Sequence, residues 1–185
     1  MYEEFSSIQK NKVTFLGYNF YGVGGTVFAT RSLAEALLEK NYLVELLSLK
    51  CAAKPKKMPY GLQLTALYKA NSRRKIELLK RGFFRWKGLY GHLDCDCSRQ
   101  NLSPYAGMAM RKKLENINSK TVISTRESLH LFLNDATSEK IEEKIYFFHC
   151  TAALVNELFP DIVNKMEKID IGKAVFVSEE NRQLY

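Results

Sequence analysis

Short apolar runs alternate along the chain with longer stretches whose apolar positions recur every three or four residues. The short runs predict strands and the longer ones helices. Residues 13–17 (VTFLG) predict a first strand, and Gly22, Gly24 and Gly25 a flexible loop behind it. Thr26 is placed to cap a helix. Val27, Leu33, Ala34, Leu37 and Leu38 then keep helical spacing until Lys40 and Asn41. Residues 43–49 predict a second strand. A strand–loop–helix–strand unit of this kind has parallel strands and a right-handed crossover.

Residues 50–60, with Pro55 and Pro59, predict a basic loop, and residues 62–68 a third strand. Residues 72–87 predict an amphipathic helix with Ile76, Leu79, Phe83 and Trp86 along one stripe, though Gly82 weakens it. Residues 88–102 are irregular. Ser103 and Pro104 then fit a cap followed by proline at the first helical position, opening a helix to about residue 118. Strands follow at 121–125, 144–149 and 174–178, and helices at 127–136, 151–159 and from Glu179 onwards. The continuous apolar run at 145–148 predicts a parallel strand buried on both faces. The alternation predicts an α/β fold, a doubly wound, mostly parallel Rossmann-like sheet flanked by helices.

A length of 185 residues suits one domain, so residues 1–185 read as a single unit. Apolar residues at 46% and charged residues at 26% exclude disordered, collagen-like and coiled-coil classes. No apolar run approaches the roughly 20 residues that span a bilayer. Residues 1–12 hold Glu3, Glu4 and Lys10 and lack the apolar core of a signal peptide. A cytoplasmic location is therefore expected, with Cys51, Cys95, Cys97 and Cys150 as free thiols.

Charge divides the chain more sharply than composition does. Between Lys50 and Tyr90 there are 12 Lys/Arg and one acid, Glu77, a local charge of +11; the remainder carries 16 Lys/Arg against 19 acids. Residues 50–90 thus form a basic, insertion-like segment in a near-neutral domain. Such a segment attracts a membrane surface, a nucleic acid or a polyphosphate, or is simply solvated. In residues 72–87, Arg73, Arg74, Lys80, Arg81 and Trp86 are the candidates for contact with a membrane or polyanion; packing of the stripe into the core is the alternative. His92, Asp94, Cys95, Asp96 and Cys97 group possible metal ligands. Cys95 and Cys97 are nevertheless too close for a zinc knuckle, and no second cluster completes a site, so no metal is expected.

In a doubly wound fold, ligands sit at the carboxyl ends of the strands. Glycines there admit a phosphate close to the backbone, and the following helix offers free N–H groups. Gly24, Gly25 and Thr26 are placed for that role; a plain tight turn is the alternative. A P-loop would need Gly-Lys-Ser/Thr where the chain has Gly25-Thr26-Val27. A dinucleotide site would want a third glycine at Val27 and an acid closing the second strand. Glu45 lies inside that strand, whose end reads Ser48-Leu49-Lys50. A nicotinamide cofactor is therefore disfavoured, though a strand end without an acid does not exclude a phosphorylated one.

The stretch VTFLGYNFYGVGGTVFATRSLAEAL (13–37) resembles the start of a family-four glycosyltransferase of the GT-B fold. Residues 122–130 (VISTRESLH), 145–149 (IYFFH) and 175–178 (VFVS) resemble later landmarks of the first half of that fold, in order. The nearest flavour is the bacterial group that glucosylates wall polymers. The resemblance implies one half of a two-domain enzyme, the acceptor-side domain of a retaining transferase. That enzyme moves a sugar from a nucleotide-sugar donor to a glycan, lipid-linked or anionic polymer acceptor, with no cofactor. It implies that Gly24 and Gly25 approach the donor diphosphate. It places His149 near the transferred sugar as the catalytic candidate, with a buried structural histidine as the alternative. It places Thr125, Arg126 and Glu127 at the acceptor; Ser178 and Glu179 are candidates of the same kind.

Family members carry a second, donor-binding domain with a glutamate pair separated by seven residues. No two glutamates here have that spacing; the nearest carboxylate matches are Glu127 with Asp135 and Asp135 with Glu143. The resemblance therefore implies an amino-terminal half that needs a second domain or partner chain, inactive alone, with peripheral contact at the inner membrane face. Two other classes compete. One is a non-catalytic nucleotide- or sugar-binding module. The other is a nucleic-acid-binding domain, which the absence of a recognised motif disfavours.

Overall fold

The computed structural model describes residues 11–51, 58–69, 79, 82–83, 92, 104–158 and 160–184. Its elements are β1 (Lys12–Gly17), α1 (Gly25–Glu39), β2 (Leu43–Cys51), β3 (Leu62–Lys69), α2 (Pro104–Glu115), β4 (Thr121–Ser124), α3 (Glu127–Asn134), β5 (Glu143–Phe148), α4 (Ala152–Leu158), α5 (Pro160–Met166), β6 (Ala174–Phe176) and α6 (Glu179–Leu184). The strands form one six-stranded sheet in the order β3-β2-β1-β4-β5-β6. Every neighbouring pair is parallel. This is the Rossmann order, in which the chain winds outward from β1 to β3 and then returns to build β4 on the other side of β1.

Period-two alternation distributes each strand between two cores. Val13 and Phe15 of β1, with Val44 and Leu46 of β2, share a cluster with Ala34, Leu33, Leu37 and Leu38 of α1. Leu16, Leu47, Leu49 and Val122 pack instead with Met110 and Leu114 of α2 and Leu129 and Phe132 of α3. Helices therefore cover both faces, which is why β1 and β2 are mostly apolar, with Thr14, Glu45 and Ser48 as buried polar exceptions. The register sets Gly17 beside Ser48 and Leu16 beside Ser124, so the chain leaves β1, β2 and β4 at the same edge of the sheet.

Several boundaries differ from expectation. Helix α1 begins at Gly25 with Gly24 as its cap residue, and the Phe28 N–H donates to the Gly24 carbonyl at 2.9 Å. Thr26 is thus inside the first turn and not the cap, because Gly24 supplies the non-helical backbone one position earlier than any β-carbon-bearing residue would. Helix α2 stops at Glu115, short of 118, and β6 at Phe176, short of 178. Asn41, which closes the α1–β2 turn, has a left-handed φ of 63°.

Most of the predicted basic helix lies outside the described residues, including Arg73, Arg74, Ile76, Lys80, Arg81 and Trp86. Leu79, Gly82 and Phe83 are helical, and both Leu79 and Phe83 are exposed. Core packing therefore does not account for the stripe at those two positions. Cys95 and Cys97 also lie outside the described residues, as does Ser103. His92 is held by Asp135 at 2.5 Å and stands edge-on to Phe132. Among the described residues, no helix is long and apolar enough to cross a membrane, and no three His, Cys, Asp or Glu gather as a metal site would need.

Glu45 lies inside β2 and is almost fully buried. Burial alone would raise its pKa, but Lys12 at 2.7 Å and Lys113 at 3.1 Å outweigh that and hold the carboxyl below its ordinary range. It is a structural ion pair between sheet and α2, remote from the strand end where a ribose-reading acid would stand.

Candidate functional site

The crevice opens at the switch point, between the carboxyl ends of β1 and β4, and has a volume of about 290 Å³. Its lining comes from Tyr18–Val27 after β1, Thr125–Glu127 after β4, and His149 and Cys150 after β5, Tyr21 excepted. It gathers Gly24, Gly25, Thr26, Thr125, Arg126, Glu127 and His149 from separate parts of the sequence. It does not take in Ser178, an exposed residue whose carbonyl accepts from the Arg182 N–H at 3.2 Å. The reason is distance across the sheet: β6 is two strands beyond β4.

The glycine loop is fixed from below. Ser48 Oγ accepts from the Phe20 N–H at 3.0 Å and donates to the Lys50 carbonyl at 2.7 Å. Arg31 donates to the Phe20 carbonyl at 2.6 Å, and the Lys50 N–H donates to the Tyr18 carbonyl at 3.0 Å. Gly24 then adopts φ 155° and ψ 161°, a region open in practice only to glycine. Its carbonyl starts α1, whose first N–H groups lack helical acceptors and whose first turn holds no acid. Gly24→Ala should therefore cost about 1–3 kcal/mol through backbone strain. A Cβ at Gly25 meets nothing within 4 Å, so Gly25→Ala should fold nearly as well as the parent. Urea unfolding of both variants checks this; equal stabilities would contradict the Gly24 geometry.

Thr125 lines the crevice but is committed to the turn: its N–H and Oγ1 both donate to the Leu16 carbonyl, at 3.1 and 2.9 Å. Glu127 is buried in the first turn of α3, where the helix dipole favours a carboxylate. Arg126 lies over the Tyr18 ring at 4.7 Å, within reach of an anion in the crevice. Cys150 has its thiol pushed up, first by burial and then by Glu127, with Arg126 opposing.

His149 stands at the end of β5, beside the Phe147 ring at 6.0 Å. Burial lowers its pKa, so the imidazole is neutral at pH 7. Its Nε2 is buried and has no hydrogen-bond partner among the described residues; Asn19 Oδ1 in the same crevice is alike. Buried polar atoms are normally paired, so two orphans lining one cavity mark a place where a polar ligand or water belongs.

Sequence reasoning passed over Tyr18, Asn19 and Cys150, although the rule that sites follow strand ends pointed at all three. It also passed over His130, wholly buried on α3. Its Nδ1 shares a 2.6 Å hydrogen bond with Ser124 Oγ, and its ring packs against Phe148 at 4.7 Å and Tyr146 at 5.5 Å. Burial first, and then His149, push its pKa down to about 3, against a smaller opposing effect of the Phe147 carbonyl. Ser124 and His130 look like a nucleophile–base pair, but neither is exposed, so no substrate reaches them.

No protein-family model matches the chain, and no curated protein matches it.

Proposed function

We propose that the chain is the acceptor-side, Rossmann-like domain of a retaining GT-B glycosyltransferase. In this reading a nucleotide-sugar donor is spent on a glycan, lipid-linked or anionic polymer acceptor. The observation that carries it is the switch-point crevice itself. There a glycine-opened helix N-terminus faces a neutral histidine whose Nε2 is unsatisfied. The first suits a diphosphate and the second a sugar hydroxyl. During transfer the C1–O bond to the diphosphate breaks, a C1–O bond to the acceptor oxygen forms, and the acceptor hydroxyl's proton passes to the departing diphosphate, which carries the remaining negative charge. The α1 dipole and Arg126 stabilise charge on the side of the crevice where it develops. His149, kept neutral, holds a hydroxyl without adding a competing cation.

A nicotinamide dinucleotide fits less well. The third glycine position holds Val27, and the end of β2 offers Lys50 in place of an acid. Val23, 91% exposed, and Phe28, 75% exposed, leave apolar surface around the glycine loop, which an opposing donor domain would cover. Transfer by this domain alone is not expected, so the test is binding. Saturation-transfer NMR with uridine-diphosphate hexoses should show contact to the sugar protons, lost in His149→Ala and kept in part by His149→Asn. Absence of contact with every nucleotide sugar, or contact undiminished in His149→Ala, would reject the proposal.

A further inference from the structure

Asn19 sits in the turn that follows β1, and the backbone fixes it there on both sides. The carbonyl before it, of Tyr18, accepts from the Lys50 N–H at 3.0 Å, and the N–H after it, of Phe20, donates to Ser48 Oγ at 3.0 Å. Its own carbonyl accepts from the Gly22 N–H at 3.2 Å. The side-chain amide rests against Gly22, where an added Cβ would come to 3.1 Å from Nδ2. A side chain held in this way has its Oδ1 in place before any ligand arrives.

That oxygen is buried without a hydrogen-bond partner among the described residues, and Asn19 lines the same crevice as His149, whose Nε2 is also unsatisfied. An amide oxygen only accepts. An ionised phosphate also only accepts, so it cannot satisfy Oδ1, whereas a hydroxyl or an ammonium can. The start of α1, with free N–H groups and no acid in its first turn, disfavours a cation beside it. A hydroxyl remains, and it suits His149 as well, because a hydroxyl both donates and accepts. We propose that Asn19 is a specificity-determining residue, whose Oδ1 accepts from a hydroxyl of the ligand beside the glycine loop. This rests on the nucleotide-sugar reading of the crevice and adds to it a residue that tells one ligand from another. The hydroxyl belongs either to the sugar or to the ribose of the nucleotide.

Ligand-observed NMR titration of the parent, Asn19→Ala and Asn19→Asp separates the cases. The probes are uridine-diphosphate glucose, its monodeoxy analogues, uridine diphosphate and deoxyuridine diphosphate. The parent should bind one deoxy analogue about fivefold more weakly than its hydroxyl-bearing counterpart, the effect of one lost hydrogen bond. In Asn19→Ala that ratio should fall to about one, because only the hydroxyl-bearing ligand loses a contact. Asn19→Asp keeps an acceptor in the same place and should keep the ratio, even where its charge weakens every ligand alike. A preference among the glucose analogues assigns the hydroxyl to the sugar; a preference between the two diphosphates assigns it to the ribose. No preference in the parent, or one that Asn19→Ala leaves intact, overturns the role of Asn19 while the nucleotide-sugar reading stands. Failure of the parent to bind any of these probes overturns that reading and the role of Asn19 with it.

Discussion

Acidification should begin to destabilise this protein before its carboxylates titrate, and His130 should be the main cause. The imidazole sits wholly buried against Phe148 and Tyr146, with a pKa near 3 in place of 6.5. In the unfolded chain it takes up a proton near pH 6.5; in the folded chain it does not. Between those values the unfolded state binds more protons, so stability rises with pH across the window. The contribution is complete above about pH 7 and is lost as the pH falls from 6.5 toward 3. Each pKa unit corresponds to about 1.4 kcal/mol, so the full loss is roughly 4–5 kcal/mol, a large share of a typical domain's total. His149, lowered by burial, acts in the same direction. Glu45, held low by its lysines, adds its own loss only below its ordinary range. Urea midpoints from pH 7.5 to 4.5 would measure the slope, and His130→Gln should flatten it whatever the variant does to stability at pH 7. A slope equal in parent and variant would show that His130 is not the group responsible.

How much of this was legible in the sequence depended on whether the signal was local. All six strands were legible, because a parallel sheet covered on both faces demands short, mostly apolar runs, and 13–17 or 145–148 supply them. The glycine loop was legible as the opening between β1 and α1, because glycines after a first strand allow backbone angles closed to other residues. Its cap was not: Thr26 has the cap side chain, yet the backbone of Gly24 decides where α1 begins, and no side-chain preference reports a dihedral. Thr125 and Ser178 look alike as hydroxyls after strands. One spends its hydroxyl on Leu16 at the centre of the sheet, and the other sits at the far edge, a difference made by strand order alone. His130 was hidden for the opposite reason. On an apolar helix it reads as a core residue, which it is; its partner Ser124 and its neighbour His149 come from other strands.

Gly17→Ala should be among the most damaging single substitutions, and the damage should reach the crevice. A Cβ at Gly17 would overlap the Phe20 ring, with Cε1 at 2.7 Å and two further ring atoms closer still. Phe20 cannot yield cheaply. It is 1% exposed, packs into the cluster beneath α1, and has its backbone bound at both ends, N–H to Ser48 and carbonyl to Arg31. Displacing the ring costs about what deleting a buried phenylalanine costs, roughly 3–5 kcal/mol. Because those backbone bonds also hold the turn from Tyr18 to Gly22, the variant should lose ligand affinity even where it remains folded. The contrast with Gly24 is physical: Gly24 is required by its dihedral angles, Gly17 by the ring lying against it. A double-mutant cycle separates the overlap from other causes. Phe20→Leu removes ring atoms and should cost stability alone, yet Gly17→Ala should cost far less in the Phe20→Leu background than in the parent. Strict additivity of the two changes, read from urea unfolding, would mean that the ring is not what requires glycine at position 17.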